Sequence, residues 1–308
     1  MRVHMKKIII VLIVLALLVA GWLFVRQSTY QQKTTSSLSS SLWNSFTWDN
    51  VTSLTIGTTT FKKENDLWQV QKNGAWYPAQ KNVLDQIASF FVDITIQQRV
   101  AQTSQKHTEL EVTDGIGIGV RIANDNNPFA EFIVGKSGFD YSSCYLRLKN
   151  QDTVYLVSPN CRFTFDHTEW RDLRIAPNVN ASDIEKITIT QNNISRNLAK
   201  QEEKLEWKEN DTDLDAEKMR DLLVAIIETD ATDMIPSNTP SITPEFASPF
   251  AKIMLEGKDQ SSIIITIGSK VSDKEERYVQ GTNKEFIYTV PTSRVDEQWL
   301  KSKDALKK

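Results

Sequence analysis

Side chains able to do acid–base or metal chemistry are few in this chain of 308 residues, which holds three histidines and two cysteines. The densest group is Asp166-His167-Thr168-Glu169, which sets a histidine between two carboxylates. Residues at i and i+2 face apart on a helix, and no second histidine is near in sequence, since His107 belongs to a polar loop. The group is therefore predicted to be the solvated start of a helix rather than a metal or acid–base site.

A glycine stretch is the second candidate for chemistry. Gly115, Gly117 and Gly119 alternate with isoleucines, and closely spaced glycines let backbone N–H groups approach a phosphate. The stretch lacks the third glycine at the spacing of a dinucleotide fingerprint, and strand-like residues 120–122 follow it where a helix would be needed. It is predicted to be a loop that enters a strand.

Signatures of known enzyme classes are missing from the sequence. A Ser–His–Asp triad assembles in space, so spacing alone does not test it, but neither a G-x-S-x-G elbow nor an H-E-x-x-H motif is present. We predict no catalytic, cofactor-binding or metal-binding residue, and a chain that is not an enzyme. The formal net charge of −3 comes without a clustered basic face, which excludes a nucleic-acid partner.

An apolar segment near the N-terminus predicts a membrane anchor. Residues 8–25 read IIIVLIVLALLVAGWLFV without a charge, and as a helix they span about 27 Å, close to the roughly 30 Å hydrocarbon core. A cleaved signal peptide is the alternative, but its apolar region is usually about 7–15 residues long. Basic residues are more numerous before the segment than after it, which places residues 1–7 in the cytoplasm and the rest outside it. The segment contacts membrane lipid in this prediction.

The two cysteines fall in the predicted extracytoplasmic part, where disulfides persist. If the turn centres on residues 150–151, Cys144 pairs with Val157 across the ladder, and Cys161 follows four residues later. A bridge then requires the chain to turn back after Pro159. A disulfide and two buried thiols remain alternatives, and a Cα separation above about 7 Å would exclude the bond.

Beyond a flexible, Ser- and Thr-rich linker at 26–46, the chain repeats itself. Val134-Gly135 matches Ile267-Gly268, and residues 154–157 match 287–290, both at a separation of 133. We predict two domains, at 47–177 and 178–308, each about 130 residues long.

Each repeat contains one segment with the apolar spacing of a helix that buries one face, with Val83 and Ile87 in the first and Met219 and Leu223 in the second. Asp215 is predicted to cap the second helix, and Pro78 to lie in the first turn of the first helix. Strands and hairpins surround both segments. Each repeat is predicted to close in a short helix near a tryptophan, Trp170 or Trp299. The predicted fold class is α+β, with an antiparallel sheet and one main amphipathic helix per repeat.

These features carry a family resemblance. The sequence has a Trp-Tyr-Pro-Ala helix start at 76–79, strands that end in Val-Gly or Ile-Gly, and aromatic hairpins that end at 154–157 and 287–290. This pattern resembles the bacterial domain of unknown function 4340. The resemblance covers most of the chain outside the anchor. It implies a membrane-anchored extracytoplasmic protein, in some cases an auxiliary component beside ABC-type exporters, including gliding-motility-type systems. It implies no catalytic residues.

The function expected from these observations is that of a non-enzymatic, single-pass protein of the cell membrane. It would be an accessory or scaffold component of an ABC-type transport or cell-envelope system, with transporter subunits or another envelope protein as partner. An extracytoplasmic glycan- or lipid-binding module is the alternative.

Overall fold

The computed structural model describes residues 47–125, 127–201, 206–240 and 246–308. The predicted cytoplasmic tip at 1–7, membrane helix at 8–25 and linker at 26–46 lie outside these ranges. No helix within the ranges combines the length and the apolarity that crossing a bilayer requires.

The first antiparallel sheet comprises nine strands and carries one main helix, α1, which spans Lys81–Asp93. A short helix, α2, spans Cys161–Phe165 after the last strand. The strands, in chain order, are β1 (Ser53–Ile56), β2 (Thr59–Glu64), β3 (Leu67–Lys72), β4 (Ala75–Pro78), β5 (Thr95–Ala101), β6 (Ile118–Asn124), β7 (Asn127–Ser137), β8 (Cys144–Leu148) and β9 (Val154–Ser158).

The second antiparallel sheet also comprises nine strands and carries a main helix, α3, which spans Ala216–Ile227. A π-helix over Arg294–Trp299 and a short helix α4 over Lys303–Leu306 close the chain. The strands are β10 (Ile184–Gln191), β11 (Ile194–Lys200), β12 (Trp207–Glu209), β13 (Thr212–Asp213), β14 (Asp233–Pro236), β15 (Ala251–Gly257), β16 (Ser262–Lys270), β17 (Glu276–Gln280) and β18 (Phe286–Pro291).

The two sheets have one topology. Their strand orders are β4-β3-β2-β1-β6-β7-β8-β9-β5 and β13-β12-β11-β10-β15-β16-β17-β18-β14. In each sheet the main helix connects a strand at one edge to a strand at the other edge. The predicted α+β class and the two similar sheet units are confirmed.

Burial explains why the main helices form where the apolar spacing predicts them. In α1 the buried side chains are Val83, Leu84, Ile87 and Phe90, all on one face. Burial of each large apolar side chain contributes roughly 1.5–3 kcal/mol. Asp215 caps α3 as predicted, because its carboxylate accepts hydrogen bonds from the backbone N–H groups of Glu217 and Lys218.

Several elements differ from the prediction. Pro78 ends strand β4 and is not in the first helical turn, since α1 begins at Lys81. Trp170 lies beyond the end of α2, whereas Trp299 does end a helix. The sequence also did not indicate the edge strands β4 and β5. Residues of β4 were predicted to start the helix, and β5 alternates weakly between buried and exposed positions.

Packing divides the described chain into two compact units. Unit 1 comprises 47–60 and 83–168, and unit 2 comprises Phe61–Asn82 and Glu169–Lys308. Strands β3 and β4 of the first sheet therefore belong to unit 2. The core of unit 1 includes edge-to-face contacts between the rings of Phe90, Phe132 and Phe165, whose centroids lie 5.3 to 5.6 Å apart.

Candidate functional site

The two cysteines are bonded to one another. Cys144 opens β8, Cys161 is the first residue of α2, and their Cα atoms lie 5.6 Å apart. Cys144 stands opposite Val157 in the ladder, the register that the turn at 150–151 predicted. The chain turns back after Pro159 and brings the second cysteine against the first. The sequence left a disulfide and two thiols open, and the structure has the disulfide.

An ion pair occupies the equivalent place in the second repeat. Arg277 stands opposite Val290 in the β17–β18 ladder, 133 residues after the Cys144–Val157 pair. Its guanidinium pairs with the carboxylate of Asp296 in the π-helix at 3.0 and 3.2 Å, and lies 3.6 Å from the ring centroid of Phe250. Both repeats therefore fasten the helix that follows the last strand to the same position of the strand before the last, β8 or β17. The first repeat does so by a covalent bond and the second by an ion pair.

His107 lies in the connection between β5 and β6, a loop as predicted, but its side chain is buried and not solvated. Its Nε2 lies 2.8 Å from the carbonyl oxygen of Asp152 in the β8–β9 connection. The buried guanidinium of Arg147 donates to the carbonyl oxygens of Val112 and Gln151 at 2.8 and 3.1 Å. These two side chains hold the segment 104–117 against strands β7 to β9, and both are used in structural contacts.

The glycine stretch is a loop that enters a strand, as predicted, since β6 follows it directly. Gly115 has a φ of +86°, which favours glycine. A Cβ atom at Gly117 would collide with the carbonyl oxygen of Glu111 and the side chain of Ile133. Backbone conformation explains Gly115 and close packing explains Gly117, without a phosphate.

Asp166, His167 and Glu169 lie after a helix, not at its start. Asp166 is the C-cap residue of α2 and pairs with Arg162 at 2.7 Å. Glu169 makes a bidentate pair with Arg171, at 2.9 and 2.8 Å. Arg162 reaches Asp166 over one helical turn, whereas Glu169 lies in the segment 166–172, which leaves α2 without forming a helix and is called the strap below. Among the described residues, no group of three or more His, Cys, Asp and Glu side chains has the arrangement of a metal site.

The most extensive buried charge network in this strap was not predicted. Arg171 is 3% exposed, and besides Glu169 it donates to the carboxylate of Asp233 at 2.7 Å and to the carbonyl oxygen of Met234 at 3.0 Å. Its guanidinium carbon lies 5.3 Å from the ring centroid of Tyr77. All of these residues belong to unit 2. The sequence signal was the Glu-x-Arg spacing at 169–171, but nothing in the sequence indicated Asp233.

Burial and charge shift the pKa values of Glu169 and of Tyr288, a residue that stands opposite Met234 in the β14–β18 ladder. Burial opposes ionisation of Glu169, yet hydrogen bonds from Arg171 and Lys72 outweigh it and lower the pKa of Glu169 to about 2. Burial also raises the pKa of Tyr288 to about 12, with a further contribution from Asp172. Each group therefore stays in one protonation state near neutral pH. A proton-transfer role would require a pKa near the working pH.

Comparison with known proteins identifies the family. A family model described as "Domain of unknown function (DUF4340)" matches residues 68–245, from β3 to the connection before β15. No curated protein and no solved structure matches the chain. The matched stretch covers more than half of the sequence, and the chain therefore belongs to the DUF4340 family.

Proposed function

We infer that this chain is a non-enzymatic, membrane-anchored extracytoplasmic protein, an accessory or scaffold component of an ABC-type transport or cell-envelope system. The observation that carries the proposal is the way both repeats use their buried ionisable groups. Arg147, Arg171 and Arg277 each bind carboxylates or carbonyl oxygens of the fold itself. A scaffold needs these contacts, whereas a catalytic site needs groups left available to a substrate.

Three further features support the location and the partner. The disulfide between Cys144 and Cys161 is of a kind that persists in oxidising compartments and is rare in the cytosol. The uncharged segment 8–25 has the length of a membrane span. The ABC-type partner follows from the family resemblance of the sequence alone.

The location is tested with the full chain in its native cells. After acid quenching, we expect a thiol-reactive label to modify neither cysteine until a reductant is added, and alkaline extraction to leave the protein in the membrane. The variant Cys144→Ser, which frees one thiol, is the control for label access. Labelling of the unreduced wild-type protein would contradict an extracytoplasmic location.

The partner is tested by cross-linking the full chain in intact cells before detergent extraction and purification. We expect a permease or ATPase subunit of an ABC transporter, or another envelope protein, to copurify in fixed proportion. Recovery of the chain alone, under conditions that preserve a known membrane complex from the same cells, would contradict the scaffold role.

A further inference from the structure

Large apolar side chains on the surface of unit 1 are concentrated at one end. Seven large apolar side chains are exposed among the described residues, and five of these belong to unit 1. Ile116 lies in the segment before β6, and the other four lie in α1, in α2 and in the loop between β7 and β8. Val92 is 80% exposed, Phe139 is 101% exposed, Tyr141 is 71% exposed and Phe163 is 65% exposed. We call these four side chains the aromatic end.

Hydrogen bonds bring the elements that carry the aromatic end together. Val92 lies in the last turn of α1, and just after this helix the hydroxyl of Thr95 donates to the carbonyl oxygen of Ser158 at 3.4 Å. The hydroxyl of Ser158 in turn donates to the carbonyl oxygen of Ser142, in the loop 138–143, at 3.3 Å. The end of α1 and this loop therefore meet at the end of β9.

The helix α2, which carries Phe163, meets the same loop. Asn160 caps α2, and its side-chain amide donates to the carbonyl oxygen of Tyr141 at 2.9 Å. The disulfide fastens Cys161, the first residue of α2, to Cys144, which directly follows the loop. Three elements thus present their apolar side chains at one end of unit 1.

The loop at 138–143 is braced although its side chains are exposed. The backbone N–H of Gly138 donates to the carbonyl oxygen of Ser143 at 2.8 Å. The carboxylate of Asp140 accepts hydrogen bonds from the backbone N–H and the hydroxyl of Ser142, at 3.1 and 2.7 Å, and from the hydroxyl of Ser143. Such a loop loses little conformational freedom when Phe139 and Tyr141 enter a contact.

The first described residues of unit 1 lie beside this end. The ring of Trp48 stacks on the ring of Phe91, the neighbour of Val92, with 6.3 Å between centroids. Forty-six residues precede Thr47, and they include the uncharged apolar segment 8–25. The first described residues therefore lie beside the aromatic end, and the predicted anchor comes before them in the sequence.

The charges near the aromatic end are mixed in sign. Arg162 pairs with Asp166 at 2.7 Å, and Asp140 is engaged by the two serines. Without an excess of basic groups, attraction to anionic headgroups is not the basis of a contact. Phenylalanine and tyrosine suit the boundary between headgroups and acyl chains, where Tyr in particular keeps its hydroxyl in a polar layer.

We propose that the aromatic end contacts the surface of the bilayer that holds the anchor, with Phe139 and Tyr141 in the interfacial layer. The proposal rests on the membrane anchoring given under the proposed function. Contact at this end would set the orientation of unit 1 relative to the membrane.

The test uses the full chain in phosphatidylcholine nanodiscs, with photoreactive benzoylphenylalanine placed at position 139. The matched control carries the same residue at position 194, because Ile194 is an equally apolar, 70% exposed side chain on β11 of unit 2. After irradiation, mass spectrometry of the protein should show a lipid adduct several-fold more abundant at position 139 than at position 194. We expect anionic lipid in the nanodisc to change this ratio little.

Two results would overturn the proposal. The first is an equal lipid-adduct yield at positions 139 and 194. The second is a cross-link at position 139 to a protein, and not to lipid, when the same variant is irradiated in intact cells. Alkaline extraction of membranes from the same cells tests the anchor separately. A chain that is not anchored would be released by this treatment, whereas a chain that only lacks the contact at position 139 would stay in the membrane.

Discussion

At the scale of single residues, Arg171 connects parts of unit 2 that are distant in sequence. Its three donor nitrogens reach the carboxylates of Glu169 and Asp233 and the carbonyl oxygen of Met234. The planar guanidinium suits this arrangement because it offers several donors in a fixed fork and can also stack against the ring of Tyr77. A lysine at this position would supply the charge without the fork.

We expect Arg171→Met to lower the free energy of unfolding by about 2–4 kcal/mol, because it removes a buried cation and leaves its acceptors unpaired. Arg171→Lys should fall between wild type and Arg171→Met. The control is Arg220→Met, since Arg220 is 68% exposed and its ion pairs with Glu217 and Asp221 measure 3.7 and 3.8 Å; its effect should stay within about 0.5 kcal/mol. Urea unfolding followed by tryptophan fluorescence measures all three, and equal effects of the two Met substitutions would contradict the assigned role.

The same network predicts a pH dependence. The folded-state pKa of Glu169 is lowered from 4.5 to about 2, so the stabilisation by its carboxylate is fully present above about pH 4.5 and is lost as the pH falls through about 2. A double-mutant cycle with Glu169→Gln and Arg171→Met, measured by urea unfolding at several pH values, gives the coupling between the two residues. The coupling energy should decrease between pH 4.5 and pH 2, and a constant value across this range would contradict the assignment.

At the scale of elements, the segment 104–117 lies directly on strand β7, and glycine makes this approach possible. A Cβ atom at Gly135 would collide with the carbonyl oxygen of Leu110 and lie 2.7 Å from the side chain of Val112. Packing therefore requires the glycine of the Val134-Gly135 pair, which lies within β7 and not at its end as the sequence predicted. In contrast, a Cβ atom at Gly119 in β6 would meet nothing within 4 Å.

We expect Gly135→Ala to destabilise unit 1 by about 1–3 kcal/mol through overpacking. Gly119→Ala should be neutral or slightly stabilising, because alanine lowers the entropy of the unfolded chain where space is open. Hydrogen exchange of the full chain should show faster exchange at Leu110 and Val112 in the first variant only. Similar exchange in both variants would show that the segment does not depend on the close approach at Gly135.

The two equivalent fastenings are the disulfide that holds α2 and the Arg277–Asp296 pair that holds the π-helix, and they should respond to different changes. Reduction of the Cys144–Cys161 bridge should lower stability by about 3 kcal/mol, the loop-entropy value for a sequence separation of 17. Hydrogen exchange should then accelerate in α2 and in the loop 138–143, but not in the π-helix. Arg277→Met should produce the reverse pattern, because it removes the pair with Asp296 and the contact with the ring of Phe250, both within the second repeat. Acceleration of both helices by either change would show that the two fastenings are not independent.

At the scale of the whole molecule, each compact unit is made of two separate stretches of the chain. Strands β3 and β4 are encoded in the first repeat, yet residues Phe61–Asn82 belong to unit 2. The rings of Phe61 and Trp170, both of the first repeat, meet edge to face at 5.3 Å. The ring of Tyr77 lies 5.5 Å from that of Phe286, which belongs to the second repeat. The second repeat therefore depends on side chains that come from the first.

A fragment of residues 178–308 tests this dependence. It lacks Tyr77 and Arg171, which contact Phe286 and Asp233 in the full chain. We expect the amide protection of β14 and β18 to fall in the fragment relative to the full chain, while the β10–β11 ladder keeps its protection. Equal protection of β14 and β18 in both proteins would show that the repeat is complete without the first-repeat residues.

Local patterns in the sequence determined much of this protein. Spacing at the helical period predicted α1 and α3, Asp215 was identified as a cap, and the constant separation of 133 predicted two sheets of one topology. These features depend on neighbours within a turn or a hairpin, or on comparison of one repeat with the other. The register of Cys144 against Val157 followed from the turn for the same reason.

Tertiary structure alone decided the rest. Edge strands such as β5 bury little and so carry no clear alternation, and the disulfide required the chain to return after β9. The partners of Arg171 come from residues up to 63 positions away, and β4 joins unit 2 through ring contacts with β18. Periodicity in a sequence records which face of an element is buried, but it does not record which distant element covers that face.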